Sequence, residues 1–186
     1  MKQRLFIAIP LSQEIRGAFA NCVHTDIDKG IKWVDPENIH ITVVFIGDTD
    51  EDQLENIKQE LAGVINQHQL FYLSFDAITL APPGKRDPHM IWGQFKQSKE
   101  FDKLVDEINQ AVAKHHQDFV IDQRRSIPHA TLTRFKGRID IKQIELTQPE
   151  VDRVEVNSID LMESELTEKG PIYTIVESYN IPPSLG

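Results

Sequence analysis

The chain has 186 residues, of which 40% are hydrophobic, and a formal net charge of −9 at pH 7. This length predicts one domain with enough apolar residues for a core, and the negative charge argues against a protein that coats long nucleic acid, where basic patches dominate binding. No apolar run approaches the roughly 20 residues of a membrane-spanning helix, and the single cysteine, Cys22, allows no internal disulfide, so we expect a cytoplasmic protein without membrane association.

The N-terminal half alternates between predicted strands and amphipathic helices. An apolar strand over residues 4–10 ends at a proline, and Ser12 follows as a candidate helix N-cap. Apolar residues at helical spacing extend this helix through Cys22 and Val23. The further elements predicted in this half are a short extended piece at 31–34, a strand at 39–46, a helix capped at Thr49 and a strand at 71–80.

A proline-rich loop at 81–88 divides the chain, and the order of elements repeats after it. The second half has a predicted strand at 89–95, a helix capped by Ser98, and strands at 129–135, 151–161 and 172–181. The last two strands are predicted to pair in antiparallel fashion, with a slip in the alternation near Asn157. Because strand, helix, loop and strand occur twice, we predict one duplicated domain over 1–186 with pseudo-repeats at about 4–80 and 89–181.

The motif His-x-Thr occurs twice, each time at the start of an apolar, β-prone segment. His40 and Thr42 form the first copy, and His129 and Thr131 form the second. Residues two apart on a strand point to the same face, so each copy places an imidazole beside a hydroxyl. An imidazole gives or takes a proton near neutral pH, and a threonine hydroxyl can donate to an anion. Two such strands across a cleft suit a phosphate ester, with one histidine as base and the other as acid.

A local excess of positive charge accompanies the second motif. Residues 121–140 contain five Arg or Lys against two Asp, although the chain as a whole is acidic. Arg134 follows the motif on the same predicted strand. Counting two residues at a time from His129, however, places Arg134 on the opposite face unless the strand bends or bulges.

Other kinds of site find less support in the sequence. There is no His or Cys spacing typical of zinc and no glycine-rich phosphate loop, so we predict no metal and no cofactor. Trp33, Phe45 and Trp92 could stack on a nucleobase. Large aromatic residues in or beside strands more often belong to the core, and we predict that role for all three.

A wider likeness to a known family extends over most of the chain. It is carried by both His-x-Thr strands and by the segments at 4–10, 37–42, 128–132, 161–164 and 170–173. Together they resemble the two-histidine phosphoesterases, and in particular the bacterial RNA 2′,3′-cyclic phosphodiesterases, also called 2′-5′ RNA ligases. This resemblance implies a two-lobed α+β domain with pseudo-twofold symmetry, antiparallel sheets lining a central cleft and helices outside.

The resemblance also implies an activity and residue roles. The reaction is metal-free hydrolysis of a 2′,3′-cyclic phosphate on an RNA end or nucleotide to a 2′-phosphate, and related proteins also join RNA ends reversibly in a 2′-5′ linkage without ATP. His40 corresponds to the proton donor and His129 to the proton acceptor. Thr42 and Thr131 correspond to residues that hold phosphoryl oxygens, and Arg134 matches a basic residue after the second motif. We expect a monomer with no cofactor and no stable protein partner.

The chemistry of the residues leaves three alternatives open. The first is a binding module that senses a phosphorylated nucleotide without turnover. The second is a phosphodiesterase for another small cyclic phosphate. The third is a metal-dependent hydrolase, which a chelator would inactivate.

Overall fold

The computed structural model describes residues 2–27, 29–168 and 170–183, and its framework is one long antiparallel sheet. The strands are β1 (Lys2–Pro10), β2 (Val23–His24), β3 (Ile31–Trp33), β4 (His40–Asp50), β5 (Phe71–Ala81), β6 (Met90–Phe95), β7 (His129–Phe135), β8 (Glu145–Leu146), β9 (Arg153–Val156), β10 (Ser158–Thr167) and β11 (Gly170–Asn180). The α-helices are α1 (Gln13–Ala20), α2 (Glu51–Ile65) and α3 (Lys99–His115), and single 3-10 turns lie at Pro36–Asn38 and Ile141–Gln143.

The two His-x-Thr strands lie side by side at the centre of this sheet. The strand order is β11-β10-β1-β4-β7-β6-β5-β9, with β3 also paired to β7, and β2 and β8 form a separate small sheet. Ile41 of β4 pairs with Ala130 of β7 in antiparallel register. On the two sides of this contact, β1 occupies the position equivalent to that of β6, and β10 the position equivalent to that of β5. This equivalence gives the sheet its pseudo-twofold arrangement. The predicted fold class, a two-lobed α+β domain with antiparallel strands around a central cleft, is confirmed.

Neighbouring strands cross the boundary between the predicted pseudo-repeats. β5 belongs to the repeat at about 4–80 but pairs with β6 of the second repeat. β10 belongs to the repeat at 89–181 but pairs with β1 of the first. Each half of the sheet is therefore completed by a strand from the other half of the sequence, and the repeat boundaries themselves stay a prediction.

Helix α1 begins as predicted and ends early. The Ser12 hydroxyl accepts a hydrogen bond from the Ile15 N–H at 3.2 Å, as an N-cap does. The prediction that Cys22 and Val23 belong to this helix is wrong, because α1 ends at Ala20 and Val23 opens β2. The pairing of β2 with β8 is a distant contact, and it overrides the helical spacing of the apolar residues. Cys22 is nevertheless buried as a free thiol.

Two other predicted boundaries shift for similar reasons. Helix α2 is capped one residue later than predicted, since the Gln53 side-chain oxygen accepts from the Asp50 N–H at 3.1 Å while Thr49 is buried. The single strand predicted at 151–161 is divided at Asn157 into β9 and β10. β9 pairs with β5, and β10 pairs with β11 as the prediction of an antiparallel C-terminal pair requires.

One continuous apolar core holds the helices against the sheet. Phe19, Leu61 and Phe101, one from each α-helix, are fully buried in it. Ile41 and Ala130 of the two central strands are also fully buried. Their burial fixes one face of each motif strand in the core, so the histidines and threonines at alternate positions face the other way. Within the described part of the chain, none of the helices has the length and apolar character needed to cross a membrane.

Candidate active site

The central strands β4 and β7 share one pattern of exposure. Over their first seven positions both are half-buried, buried, half-buried, buried, buried, exposed and buried. The histidine and threonine of each motif take the two half-buried positions. Phe45 in β4 and Arg134 in β7 take the exposed sixth position. The two motifs are therefore presented by backbones of matching shape.

A bulge in each strand explains why two consecutive positions are buried. In β4 the pairing with β1 passes over Val43, and in β7 the pairing with β6 passes over Leu132. A bulge of one residue reverses the alternation of side chains beyond it. Arg134 therefore faces the same side as His129 and Thr131, which removes the geometric objection that simple counting raises.

Antiparallel pairing brings the two motifs together. Since Ile41 pairs with Ala130, extending the register by one residue in each direction sets His40 across from Thr131 and Thr42 across from His129. The two histidines are then diagonal neighbours on one face, a relationship that spans about 7–8 Å between α-carbons. One small area of the sheet thus carries both imidazoles and both hydroxyls.

Backbone carbonyls hold both imidazoles in the same manner. His40 donates from Nδ1 to the carbonyl oxygen of Asn38 at 2.8 Å, and His129 donates from Nδ1 to that of Ile127 at 2.7 Å. A carbonyl only accepts, so each Nδ1 carries a proton and Nε2 is the basic atom of each neutral ring. The Thr42 hydroxyl lies 3.2 Å from His40 Nε2 and donates to it. Both rings are thus oriented for proton transfer at Nε2.

The aromatic neighbours of the two histidines differ. His129 is stacked on Trp92, with centroids 3.6 Å apart and an interplanar angle of 20°. His40 is tilted against Phe6 at 5.0 Å and meets Tyr173 edge-on at 5.4 Å. The site therefore has matching backbones and unlike surroundings, which allows its two imidazoles to take different roles.

Burial favours the neutral form of both imidazoles in the free protein. Burial lowers the pKa of His40 below its usual 6.5, against the bond to Asn38, which raises it, and the charge of Arg134 lowers it further. Burial also lowers the pKa of His129, where the bond to Ile127 opposes the shift and the charges of Arg134 and His40 add to it. The charge of Arg134 therefore acts on both imidazoles.

A cavity of about 750 Å³ opens where β4 and β7 diverge. β3 occupies the space beside β7 there, since Trp33 pairs with Thr133. His40, Thr42, Thr131 and Arg134 line the cavity, so four of the five predicted site residues share its wall. His129 is not among the lining residues and is stacked on Trp92.

The structure also shows lining residues that the sequence did not indicate. Arg4 of β1, Lys32 of β3 and Tyr173 of β11 line the cavity. They come from strands far apart in the chain, and nothing in a single sequence marks them as neighbours of the motifs. The alternation of Arg4 and Phe6 on a strand is the one available signal, and it becomes informative once β1 is known to pair with β4.

The predicted basic patch contributes one residue to the site. Arg134 lines the cavity and donates from its guanidinium to the sulfur of Met90 at 3.2 Å. Arg125 instead forms an ion pair with Asp102 at 2.7 Å, and Arg124 pairs with Asp122. These exposed pairs engage two of the five cations that the sequence suggested for the site.

The prediction for the aromatic residues is right for one of three. Trp92 is 7% exposed and belongs to the interior. Trp33 and Phe45 are 48% and 68% exposed and line the cavity, so their predicted place in the core is wrong. Phe45 follows the bulge in β4, and Trp33 lies on a three-residue strand, which accounts for their exposure.

The chemistry of the lining favours an anionic ligand. Its polar side chains include imidazole, hydroxyl, guanidinium and ammonium groups, which donate hydrogen bonds or carry positive charge, and Asp35 is the one carboxylate among the described lining residues. Across the described residues, no group of three or more His, Cys, Asp or Glu side chains is placed to hold a metal ion. Hydroxyl and guanidinium donors around two titratable rings suit the oxygens of a phosphate ester.

Comparison with known proteins places this architecture in a family. A family model described as LigT like phosphoesterase matches residues 9–92. The RNA 2′,3′-cyclic phosphodiesterase of Aquifex aeolicus is 31% identical over 186 residues, which cover 95% of this chain and 96% of the relative. That of Methanothermobacter thermautotrophicus is 29% identical over 188 residues, covering 97% of this chain and all of the relative.

Solved structures share the fold over nearly the whole chain. A protein of Thermus thermophilus superposes with a TM-score of 0.80 at 22% identity, covering 97% of this chain and 98% of that one. Apo LigT of E. coli superposes with a TM-score of 0.77 at 21% identity, with the same coverage. Together with the sequence relatives, these matches show that the chain belongs to the LigT-like phosphoesterases, the two-histidine family that its motifs resemble.

Proposed function

We propose that this protein hydrolyses 2′,3′-cyclic phosphates at RNA ends or on nucleotides to 2′-phosphates, without a metal ion. The observation that carries the proposal is the matched pair of histidines, each donating from Nδ1 to a backbone carbonyl and so leaving Nε2 for proton transfer. Relatives that align over nearly the whole chain are named RNA 2′,3′-cyclic phosphodiesterases. LigT of E. coli, which shares the fold, has been crystallised with 3′-AMP and with phosphate.

The reaction needs a base and an acid on opposite sides of the phosphorus atom. In our assignment His129 Nε2 takes a proton from water as its oxygen bonds to phosphorus. The bond from phosphorus to the 3′-oxygen breaks, and protonated His40 gives its proton to that oxygen. The phosphate stays on the 2′-oxygen, and the two rings return to their starting states by exchanging protons with solvent.

The shape of the site supports this division of roles. The nucleoside must lie on the side of the departing oxygen, next to the acid. His40 lines the cavity, whereas His129 does not line it and is stacked on Trp92, so we assign a water molecule as the reacting partner of His129. The negative charge of a bound phosphate raises the pKa of a nearby imidazole and so opposes the effect of burial on His40.

The remaining polar groups stabilise the charge on the phosphoryl oxygens. We assign Thr42 and Thr131 as hydroxyl donors to these oxygens and Arg134 as the cation beside them. Protonated His40 Nε2 no longer accepts from Thr42, which leaves that hydroxyl able to donate to the phosphate. Preorganised donors of this kind contribute about 3–4 kcal/mol each to a transition state in enzymes where one has been removed. A 5′-hydroxyl that replaces water as the nucleophile gives a 2′-5′ linkage by the same steps, and cleavage of that linkage reverses the two histidine roles.

Turnover of adenosine 2′,3′-cyclic phosphate in excess EDTA tests the proposal, with products followed by phosphorus NMR. We expect adenosine 2′-phosphate. Loss of turnover in EDTA identifies a metal hydrolase, and thermal stabilisation by the nucleotide without any product identifies a binding module. A panel containing other small cyclic phosphates, such as a cyclic phosphate of ADP-ribose, separates the remaining alternative.

Alanine substitutions connect this activity to the two histidines. His40→Ala and His129→Ala should each lower kcat by roughly 10²- to 10⁴-fold, the range for general acid or base catalysis. His24→Ala is a matched control, because His24 is exposed on β2 and bonds to Thr147 away from the cavity. Near-normal turnover by either motif variant contradicts the assignment.

We further propose that the protein acts in the cytoplasm as a monomer.

A further inference from the structure

The cavity extends beyond the motifs, and two further cations contribute to its wall. Lys32 of β3 and Arg4 of β1 line it. Lys32 is the cross-strand partner of Arg134, three strand positions beyond Thr131, which corresponds to about 10 Å along β7. The Lys32 Nζ reaches across to the hairpin of β10 and β11, 3.7 Å from the point that a β-carbon on Gly170 would occupy.

Neither of these two cations forms an ion pair within the described ranges, although Asp48 is the cross-strand partner of Arg4. Within the described ranges, the ion pairs of the protein involve other lysines and arginines and neither Arg4 nor Lys32. Asp35 is the one carboxylate among the described lining residues, and it accepts a hydrogen bond from the Glu37 N–H at 3.0 Å as a cap of its 3-10 turn. An acidic protein thus keeps unpaired positive charge at this place, which favours an anion.

The wall around these cations is apolar and open to solvent. Trp33, Phe45, Leu166 and Ile172 are 48%, 68%, 67% and 53% exposed, and each comes from a different strand. Exposed apolar groups that converge on a cavity indicate a ligand-binding surface. Flat aromatic faces beside cations suit a nucleobase next to a phosphate, since base stacking is worth about 1–3 kcal/mol in single-strand binding.

One cyclic phosphate does not use all of this surface. It carries a single negative charge, and Arg134 with the two threonines already accounts for it. Lys32, Arg4 and the exposed Trp33 therefore fit a second phosphate and a second base. A single strand of RNA supplies both when its terminal nucleotide occupies the site.

We propose that this part of the cavity wall is a subsite for the penultimate nucleotide of an RNA strand. Lys32 and Arg4 bind the phosphodiester on the 5′ side of the terminal nucleotide, and Trp33 packs against the adjacent base. The inference rests on the proposed function and narrows it. The preferred substrate is the end of an RNA chain, and a free nucleoside cyclic phosphate is a minimal substitute that leaves the subsite empty.

Comparison of one-nucleotide and two-nucleotide substrates tests this subsite. The substrates are adenosine 2′,3′-cyclic phosphate and the dinucleotide ApA ending in a 2′,3′-cyclic phosphate. We expect the wild-type protein to show a kcat/KM at least about tenfold higher for the dinucleotide, equivalent to one stacked base or one good phosphate contact. Lys32→Ala and Arg4→Ala should reduce this ratio towards one.

Salt dependence and a control variant separate a phosphate contact from a general effect. For the dinucleotide, Lys32→Ala should make the slope of log(kcat/KM) against log salt shallower by about 0.7, the value for one neutralised phosphate on a single strand. Lys136→Ala removes an exposed cation at the end of β7 that does not line the cavity, and it should leave the substrate ratio unchanged.

The outcomes distinguish a failure of the proposed subsite from a failure of the proposed phosphodiesterase function. The subsite is overturned if the wild-type protein has nearly the same kcat/KM for the two substrates, or if Lys32→Ala lowers kcat/KM equally for both. Either result leaves the proposed phosphodiesterase activity intact. If neither compound is turned over, the proposed function fails. Equilibrium titration with the same two intact compounds then decides the subsite, and equal affinities overturn it.

Discussion

The indole of Trp92 lies flat on the imidazole of His129, with ring centroids 3.6 Å apart. Trp92 sits on β6 across from Thr131, and the residue in the matching place on β1, across from Thr42, is Ala8. The pseudo-twofold arrangement therefore keeps the motif backbones alike while stacking an aromatic ring flat on only one of the two imidazoles. This contact is the clearest physical difference between the two halves of the site, and it gives a first prediction.

Removing the indole should weaken His129 as a proton acceptor. A cation over the face of a tryptophan is stabilised by about 0.5–2 kcal/mol, so the protonated ring loses that support in Trp92→Leu. We expect kcat to fall about threefold to thirtyfold, KM to change much less, and the pKa of His129 to fall further. Steady-state kinetics over a pH series measures all three.

Two further variants serve as controls for this prediction. Trp92 is buried, so Trp92→Phe accompanies the leucine variant and should retain part of the effect on kcat, because phenylalanine keeps an aromatic face. Tyr72→Leu removes an exposed aromatic ring on β5 outside the cavity and should leave the kinetics unchanged. A folded leucine variant with normal kcat and a normal pH profile shows that the stacking has no role.

Local sequence predicted the motif strands well because their signals are local. The apolar, β-prone run at 129–135 predicted β7 with the bounds that the structure has, and Ser12 and Ser98 predicted two helix starts. The His-x-Thr spacing put each imidazole beside a hydroxyl, since both features depend only on a strand that alternates. The two motifs then meet because their strands pair at Ile41 and Ala130.

The side-chain positions that the sequence alone did not predict depend on which strands pair with one another. The bulge at Leu132 exists only in the pairing of β7 with β6, and it decides that Arg134 faces the site. The exposure of Phe45 has the same kind of cause in β4. Lys32 joins the cavity because β3 pairs with β7, a contact between residues about 100 positions apart in the chain.

The packing of α1 on the sheet depends on a missing side chain at Gly93. A β-carbon placed there would lie 2.9 Å from the ring of Phe19, which is fully buried. Gly93→Ala should therefore lower the free energy of unfolding by about 1–3 kcal/mol, the usual cost of overpacking a core. Urea denaturation measures the change.

A second glycine supplies the matched control for this substitution. Gly63 lies in α2 with nothing within 4 Å of an added β-carbon. Gly63→Ala should raise the free energy of unfolding by about 0.5–1 kcal/mol, because alanine loses less entropy in a helix. Equal effects of the two alanines would show that contact with Phe19 does not set the spacing of α1.

Stability should fall below pH 6.5 because of the two motif histidines. Burial lowers the pKa of both His40 and His129 below the 6.5 of an ordinary imidazole. The unfolded chain therefore binds more protons than the folded chain as the pH drops through this range, so the stabilisation present above pH 6.5 is lost progressively. His40→Gln should lose less stability between about pH 7.5 and pH 5 than the wild type does. Denaturant unfolding at both pH values tests this, and an equal loss in the two proteins contradicts it.

Arg134 should control the titration of both histidines at once. Its positive charge lowers the pKa of His40 and of His129, so removing the charge favours the protonated rings. In Arg134→Gln both imidazoles should therefore titrate at higher pH than in the wild type, and kcat/KM should fall because the phosphoryl oxygens lose a charged donor. Arg134→Lys keeps the charge but not the guanidinium geometry. The two imidazoles should therefore titrate near their wild-type pH in this variant, while kcat/KM falls less than in Arg134→Gln.

Proton NMR of the imidazole C–H resonances follows the titration of each ring, with Arg138→Gln as a control for an exposed cation outside the cavity. Unchanged midpoints for both histidines in Arg134→Gln would show that the bulged end of β7 does not bring this charge to the site.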